Sequence, residues 1–172
     1  MKLFPILLII PLIIASGCAT ASNAARHPIV AQQTGEPTKP GQRMIVRTTA
    51  YTHSEAGGHR NGVDGRLRFG GDVYSAATDW SWMPLGTRFR ICSSGRNYVV
   101  EDYGLALVGR RTIDLYVSSR RDMNAWGVKK VEIEILELGS HIMSLKLLEG
   151  RMKNSHVRRM VMALRSQKPQ AP

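Results

Sequence analysis

Cysteine is almost missing from this chain of 172 residues, which has two, Cys18 and Cys92, so a bridge between them is the one disulfide available. Metal-binding patterns are missing too. His53 and His59 share a loop, but no cysteine or HExxH partner stands near them to complete a ligand set. They read as solvated loop histidines, and neither a metal nor a cofactor is expected. Acidic residues are scarce: 13 Asp and Glu face 24 Lys and Arg, a formal net charge of +11. That balance favours anionic partners, whether nucleic acid, a membrane surface or an acidic cell-wall polymer. No apolar run reaches the roughly 20 residues that a membrane-spanning helix needs. The longest, LFPILLIIPLIIASG, is interrupted by Pro5 and Pro11. With 43% hydrophobic residues the chain can build one domain with a core, and it is too short for two.

What stands at the N-terminus narrows the choice of partner. Met1-Lys2, the apolar run and the small residues before Cys18 form a secretion signal. Ala15-Ser16-Gly17-Cys18 resembles the bacterial lipobox, which implies cleavage before Cys18 and a diacylglycerol on its sulfur. Residues 1–17 are then a signal peptide, Cys18 is the membrane attachment, and nucleic acid drops out as a partner. Alanine rather than aspartate follows Cys18, which implies the periplasmic face of an outer membrane as the destination. Lipidation leaves Cys92 as a buried apolar residue within a strand, RFRIC; a Cys18–Cys92 disulfide is the rival.

Residues 18–43, rich in Ala, Thr, Gln, Pro and Gly without apolar period, form a linker. At Met44 the pattern turns to strand, MIVRTTAYT, and a domain over 44–139 begins. HSEAGGHRNGVDGRLRFGGD is too glycine-rich for a regular element and reads as a long loop, a candidate cleft wall. VYSAAT is a short strand. Pro84 and Gly86 turn the chain into a strand at Thr87–Cys92, and Ser93-Ser94-Gly95-Arg96 closes a hairpin into NYVVED. A further strand covers Ile113–Val117. SSRRDMNAWG predicts a short helix capped by Ser118 or Ser119 and ended by Gly127. VKKVEIEILEL alternates as a last strand, with Val131, Ile133 and Ile135 on one face. About six strands in a small all-β domain close as a barrel, because closure removes exposed edges. Residues 140–172 add one basic amphipathic helix, Ser140–Arg165, and a tail. The helix either lies on an anionic surface or, the preferred reading, packs on the barrel with its basic face in solvent.

Two β-branched, aromatic-rich runs, Tyr98–Val100 and Ile113–Val117, each carry an aspartate at or near a strand end, Asp102 and Asp114. Gly104 and Gly109 let the connection between them fold over, and Asp79 lies ahead of another strand. Three carboxylates at one mouth would raise at least one pKa, as a general acid requires. Trp80 and Trp82 beside Asp79 suit either the core or stacking against sugar rings.

The order TTAYT, ATD followed by PLGTR, VEDYG, IDLYV and AWG resembles the 3D domain, named for three aspartates, of the membrane-bound lytic transglycosylase A family and related cell-wall proteins. The likeness runs from about Val46 to Leu138. It implies a six-stranded double-psi β-barrel that acts on peptidoglycan glycan strands, with the three aspartates at Asp79, Asp102 and Asp114. Asp114 becomes the catalytic acid. Asp79 and Asp102 keep it protonated by like-charge proximity, hydrogen-bond it and position sugar hydroxyls. Tyr51, Thr52, Trp80, Trp82, Tyr103 and Gly104 are the candidate glycan contacts. The implied reaction cleaves the bond between N-acetylmuramic acid and N-acetylglucosamine and closes a 1,6-anhydro ring. A non-catalytic glycan-binding barrel, resembling expansins or the rare-lipoprotein-A group, is the alternative. Relatives carry Asp-Thr-Gly-Gly where this chain has Asp102-Tyr103-Gly104-Leu105, bulkier groups that narrow the cleft.

Overall fold

The alternation at Met44 becomes the strand that closes a barrel. In the computed structural model, which describes residues 36–55 and 58–167, β1 spans Arg43–Tyr51 and buries Met44, Val46 and Thr48 while Arg43, Ile45 and Arg47 face solvent. Five more strands follow: β2 Val73–Ala77, β3 Arg88–Ile91, β4 Asn97–Asp102, β5 Thr112–Tyr116 and β6 Lys129–Glu137. They close in the order β1-β5-β2-β4-β3-β6. The pairs β1/β5 and β2/β4 are parallel and the others antiparallel, so the all-β, six-stranded barrel expected from the pattern is what forms. Its interior is filled by Phe89, Val100, Ile113, Leu115, Ile133 and Ile135, each at most 1% exposed. The signal segment, Cys18 and the linker up to residue 35 lie outside the described residues.

A short helix, α1, covers Arg120–Trp126; the Ser119 side chain accepts from the Asp122 N–H, and Gly127 at φ 60 ends it. Where the sequence predicts one long helix, the structure has two, α2 at His141–Glu149 and α3 at Ser155–Ser166. The break falls between Gly150 and Asn154, residue types that end helices more readily than they continue them. It turns both helices onto the barrel. Leu148, Val157, Met160 and Val161 are each 0% exposed and belong to the same apolar cluster as the barrel interior.

Gly139 makes that docking possible. A Cβ there would sit 2.4 Å from the carbonyl oxygens of Pro84 and Leu85. Around it, Gly139 N–H donates to Thr87 Oγ1, Ser140 N–H to Leu85 O, and Leu85 N–H to Ser144 Oγ. At the other end of the barrel domain, the last part of the expected linker is tied down. Gly41 N–H donates to Ile135 O at 2.7 Å, Ile135 N–H donates to Gln42 O, and Gln42 is buried. Cys92 corrects another expectation. It sits half-buried in the turn after β3, its N–H bonded to Glu132 O, and is not a core residue of the strand. Among the described residues no helix is long and apolar enough to cross a membrane.

Candidate functional site

On β5, Ile113 and Leu115 point into the barrel, so Thr112, Asp114 and Tyr116 point outward. Thr49 and Tyr51 of β1 share that outer face. Asp114 is the register partner of Thr49 on one side and of Ala77 on the other, and Ala77 in turn pairs with Asp102 of β4. A row therefore crosses the wall: Thr49, Asp114, Ala77, Asp102. Simple alternation would turn Asp102 inward, because Val100 already faces the core. A register shift intervenes: Ala76 pairs with Val100 but Ala77 pairs with Asp102, leaving Glu101 as the extra residue of a bulge. Both acids then engage outer-face partners. Glu101 accepts from Ser75 Oγ and pairs with Arg68 at 3.2 Å, while Asp102 Oδ2 accepts from the Tyr51 hydroxyl at 3.0 Å.

The two aspartates of the row differ in access. Asp114 is partly exposed, and Thr49 Oγ1 donates to its Oδ1 at 2.6 Å. Burial pushes its carboxyl up to about 6; the Thr49 bond opposes the rise, and the negative charges of Glu55 and Asp102 add to it. Asp102 is buried and raised for the same first reason. Its charge is supported by the Tyr103 N–H at 2.9 Å, by Tyr51, and by the Gly62 backbone. Tyr51 stands between them: its phenol is pushed far up, by burial first and then by Asp102, its acceptor, with a smaller push from Asp114. It is the proton-bearing partner of that pair.

Asp79 goes elsewhere. Its Oδ1 accepts from the Ser81 N–H at 2.9 Å and from Ser81 Oγ, and its Oδ2 accepts from the Gly109 N–H at 2.6 Å. It is 3% exposed, and the charges that act on Asp114 are those of Glu55, Asp102 and Arg47. The structure thus brings two of the three aspartates into one row and spends the third on fastening the turn after β2 to the loop before β5.

Trp80 is 0% exposed, its indole N–H donating to the Asp102 carbonyl at 2.9 Å, and Trp82 is buried as well. Both belong to the core, and Trp82 also lines a pocket of about 180 Å³ with Arg47, Arg111 and Lys130, away from the row that carries Asp102 and Asp114. Thr52 is 1% exposed with its hydroxyl on Ser54, and Tyr51 is spent on Asp102, so neither offers a free group to a glycan. Tyr103 and Gly104 are half-buried beside Asp102. Accessible ring surface near Asp114 lies in a groove of about 560 Å³ lined by His53, His59, Arg66, Arg68, Phe69 and Tyr116, among others. Phe69 is 44% exposed there, and Tyr116 is the next outward residue of β5 after Asp114. His53 and His59 stack at 4.1 Å, and no three His, Cys, Asp or Glu side chains among the described residues could hold a metal ion.

Thr49, Glu55 and Gly62 belong to this site and were missed as site residues. For Thr49 the signal was available, since a residue two before Tyr51 on a strand shares its face. Glu55 and Gly62 lie in the glycine-rich loop and have no sequence periodicity to place them.

Residues 74–137, from β2 to the end of β6, match the model of the 3D domain, a family associated with peptidoglycan-related barrel domains. No curated protein matches the chain.

Proposed function

We propose that this chain, which carries a 3D domain, is a peptidoglycan lytic transglycosylase with Asp114 as its acid and base. The observation that carries the reading is the row that sets a partly exposed carboxyl, Asp114, held by Thr49, two strands from the buried Asp102. Protonated Asp114 gives its proton to the oxygen joining N-acetylmuramic acid to N-acetylglucosamine as positive charge develops at C1. The same carboxylate then takes the proton of the muramoyl C6 hydroxyl, which attacks C1 and closes the 1,6-anhydro ring. One group both gives and regains the proton, so no water enters. Thr49 fixes Oδ1 as an acceptor, which leaves Oδ2 as the oxygen that carries the mobile proton. Asp102, with Tyr51 on it, supplies negative charge toward the developing cation. The groove past Tyr116 receives the flanking sugars, with Phe69 offering a ring face and the arginines meeting acidic groups of the polymer.

Within this proposal the lipobox-like segment supports attachment of the enzyme through Cys18 to the periplasmic face of the outer membrane. Labelled palmitate should enter the wild-type protein and not Cys18→Ser. A second reading, a glycan-binding barrel without catalysis, draws on the same aromatic and basic groove. Incubation with purified sacculi separates the two: the enzyme releases anhydromuropeptides, Asp114→Asn loses about 10²–10⁴-fold of that release, and a binder releases none. Equal release by wild type and Asp114→Asn would remove Asp114 from the mechanism.

A further inference from the structure

The Tyr103 N–H donates to the buried Asp102 carboxylate, and the Gly62 backbone packs against the same residue and favours its charge. Both residues are held from their far side by one cation. Arg151, in the link between α2 and α3, donates from Nη1 to the Gly62 carbonyl and, at 3.2 Å, to the Tyr103 hydroxyl. Its Nη2 lies 3.7 Å from Asp64 Oδ2, and its guanidinium carbon is 6.0 Å from the Tyr103 ring centre.

The Gly62 turn is shaped to be gripped in this way. Asn61 Oδ1 accepts from Val63 N–H at 3.1 Å and from Gly65 N–H at 2.8 Å, and Asn61 N–H bonds Gly65 O, so residues 61–65 form one tight unit. That unit presses on the strand end: a Cβ on Gly62 would lie 3.0 Å from the Tyr103 ring and 3.3 Å from Asp102 Cα. The loop is otherwise anchored beyond the turn, at the buried Leu67 and at Arg68 on Ser75, and ordering a glycine-rich chain costs much conformational freedom. Nη1 of Arg151 meets the carbonyl and the hydroxyl together while Nη2 faces Asp64, which supplies the constraint.

We propose that Arg151 is a positioning residue for Asp102: it clamps Gly62 onto Tyr103, holding the Tyr103 N–H and the Gly62 backbone against that carboxylate. The C-terminal helices thereby reach the site through a contact that lies outside the family-matched region, since neither Gly62 nor Arg151 falls within 74–137. Its relevance to catalysis rests on the reading given above; its geometry does not.

The test is a carbon-13 carboxyl titration of the purified full chain, with the Asp102 signal assigned by Asp102→Asn, in wild type, Arg151→Ala and Arg151→Lys. Loss of a donor to a carboxylate raises its pKa, and the expected rise in Arg151→Ala is about one unit, with Gly62 amide exchange faster by about tenfold or more. Arg151→Lys keeps the charge but is shorter and lacks the second nitrogen that faces Asp64, and should show about half the shift. An unchanged Asp102 titration in both variants overturns the proposal. So does a shift in Arg151→Ala with none in Arg151→Lys, which would assign the effect to charge alone. Should Arg151→Ala lose its circular dichroism signal, the lysine variant decides. If the wild type releases no anhydro product at all, the transglycosylase reading falls while the titration still judges Arg151. If it does, Arg151→Lys should lower kcat severalfold at unchanged KM.

Discussion

Thr49 Oγ1 donates to Asp114 Oδ1 at 2.6 Å between register partners of the parallel β1/β5 pair. The bond favours the charged form of Asp114 against the burial that raises it. Thr49→Val, of equal size without the hydroxyl, should therefore move the Asp114 pKa above about 6, by about one unit for a bond to a charged group. If Asp114 acts as the acid, the pH at which muropeptide release is half-lost moves up with it. A profile unchanged or shifted to lower pH would contradict the role given to this hydroxyl.

The same carboxyl makes stability depend on pH. Its folded pKa, about 6, lies above the ordinary 3.8, so the native protein holds this proton more tightly than the unfolded chain does. The stability linked to it is full below about pH 4 and is lost as pH rises through about 6. Asp114→Asn cannot ionise and escapes that loss. By urea unfolding it should be more stable than wild type by on the order of 2 kcal/mol at about pH 8, with the difference vanishing near pH 4.

Asp79 makes the opposite case. Both its oxygens accept from backbone N–H groups, of Ser81 and Gly109. Asn at this position must turn its NH₂ toward one of those donors. Asp79→Asn is expected to cost about 1–3 kcal/mol of stability and to leave the Asp114 titration where it is. A fall of the Asp114 pKa in this variant, read by carboxyl NMR, would restore Asp79 to the charge pair.

Gly139→Ala tests how firmly the helices are joined to the barrel. The new Cβ would lie 2.4 Å from two carbonyl oxygens and 2.6 Å from Thr87 N, backbone atoms that cannot swing aside. A loss of about 3 kcal/mol or more is expected, visible as a lower midpoint in thermal unfolding. Wild-type stability would mean that the turn at residues 84–87 yields freely.

Strand β3 could be read from the sequence because it has one wet and one dry side, Arg88 and Arg90 against Phe89 and Ile91, whereas β4, buried on both faces, was legible from its β-branched and aromatic residues. Asp102 and Asp114 could be found as acids in such runs, although Asp114 proves to sit at the centre of β5 and only Asp102 at a strand end. The bulge at Glu101 could not: it depends on which partner Ala77 takes, a fact of pairing between distant segments. Nor could the use of Asp79, whose acceptor oxygens are claimed by Gly109, 30 residues away. In the C-terminal region the apolar spacing announced a packed helix, and Gly150 and Asn154 marked the break, but two short helices and one long one share nearly the same periodicity.

Strand β1 lies between β5 and β6, both of which come more than 60 residues later in the chain. During synthesis on the ribosome it therefore has no neighbour to pair with until most of the polypeptide has emerged. The Thr49–Asp114 bond and the seal of the barrel form in that same late event. Folding from such distant pairings is slow relative to local hairpins, which leaves the new chain threadable for longer than a fold built from neighbours would be.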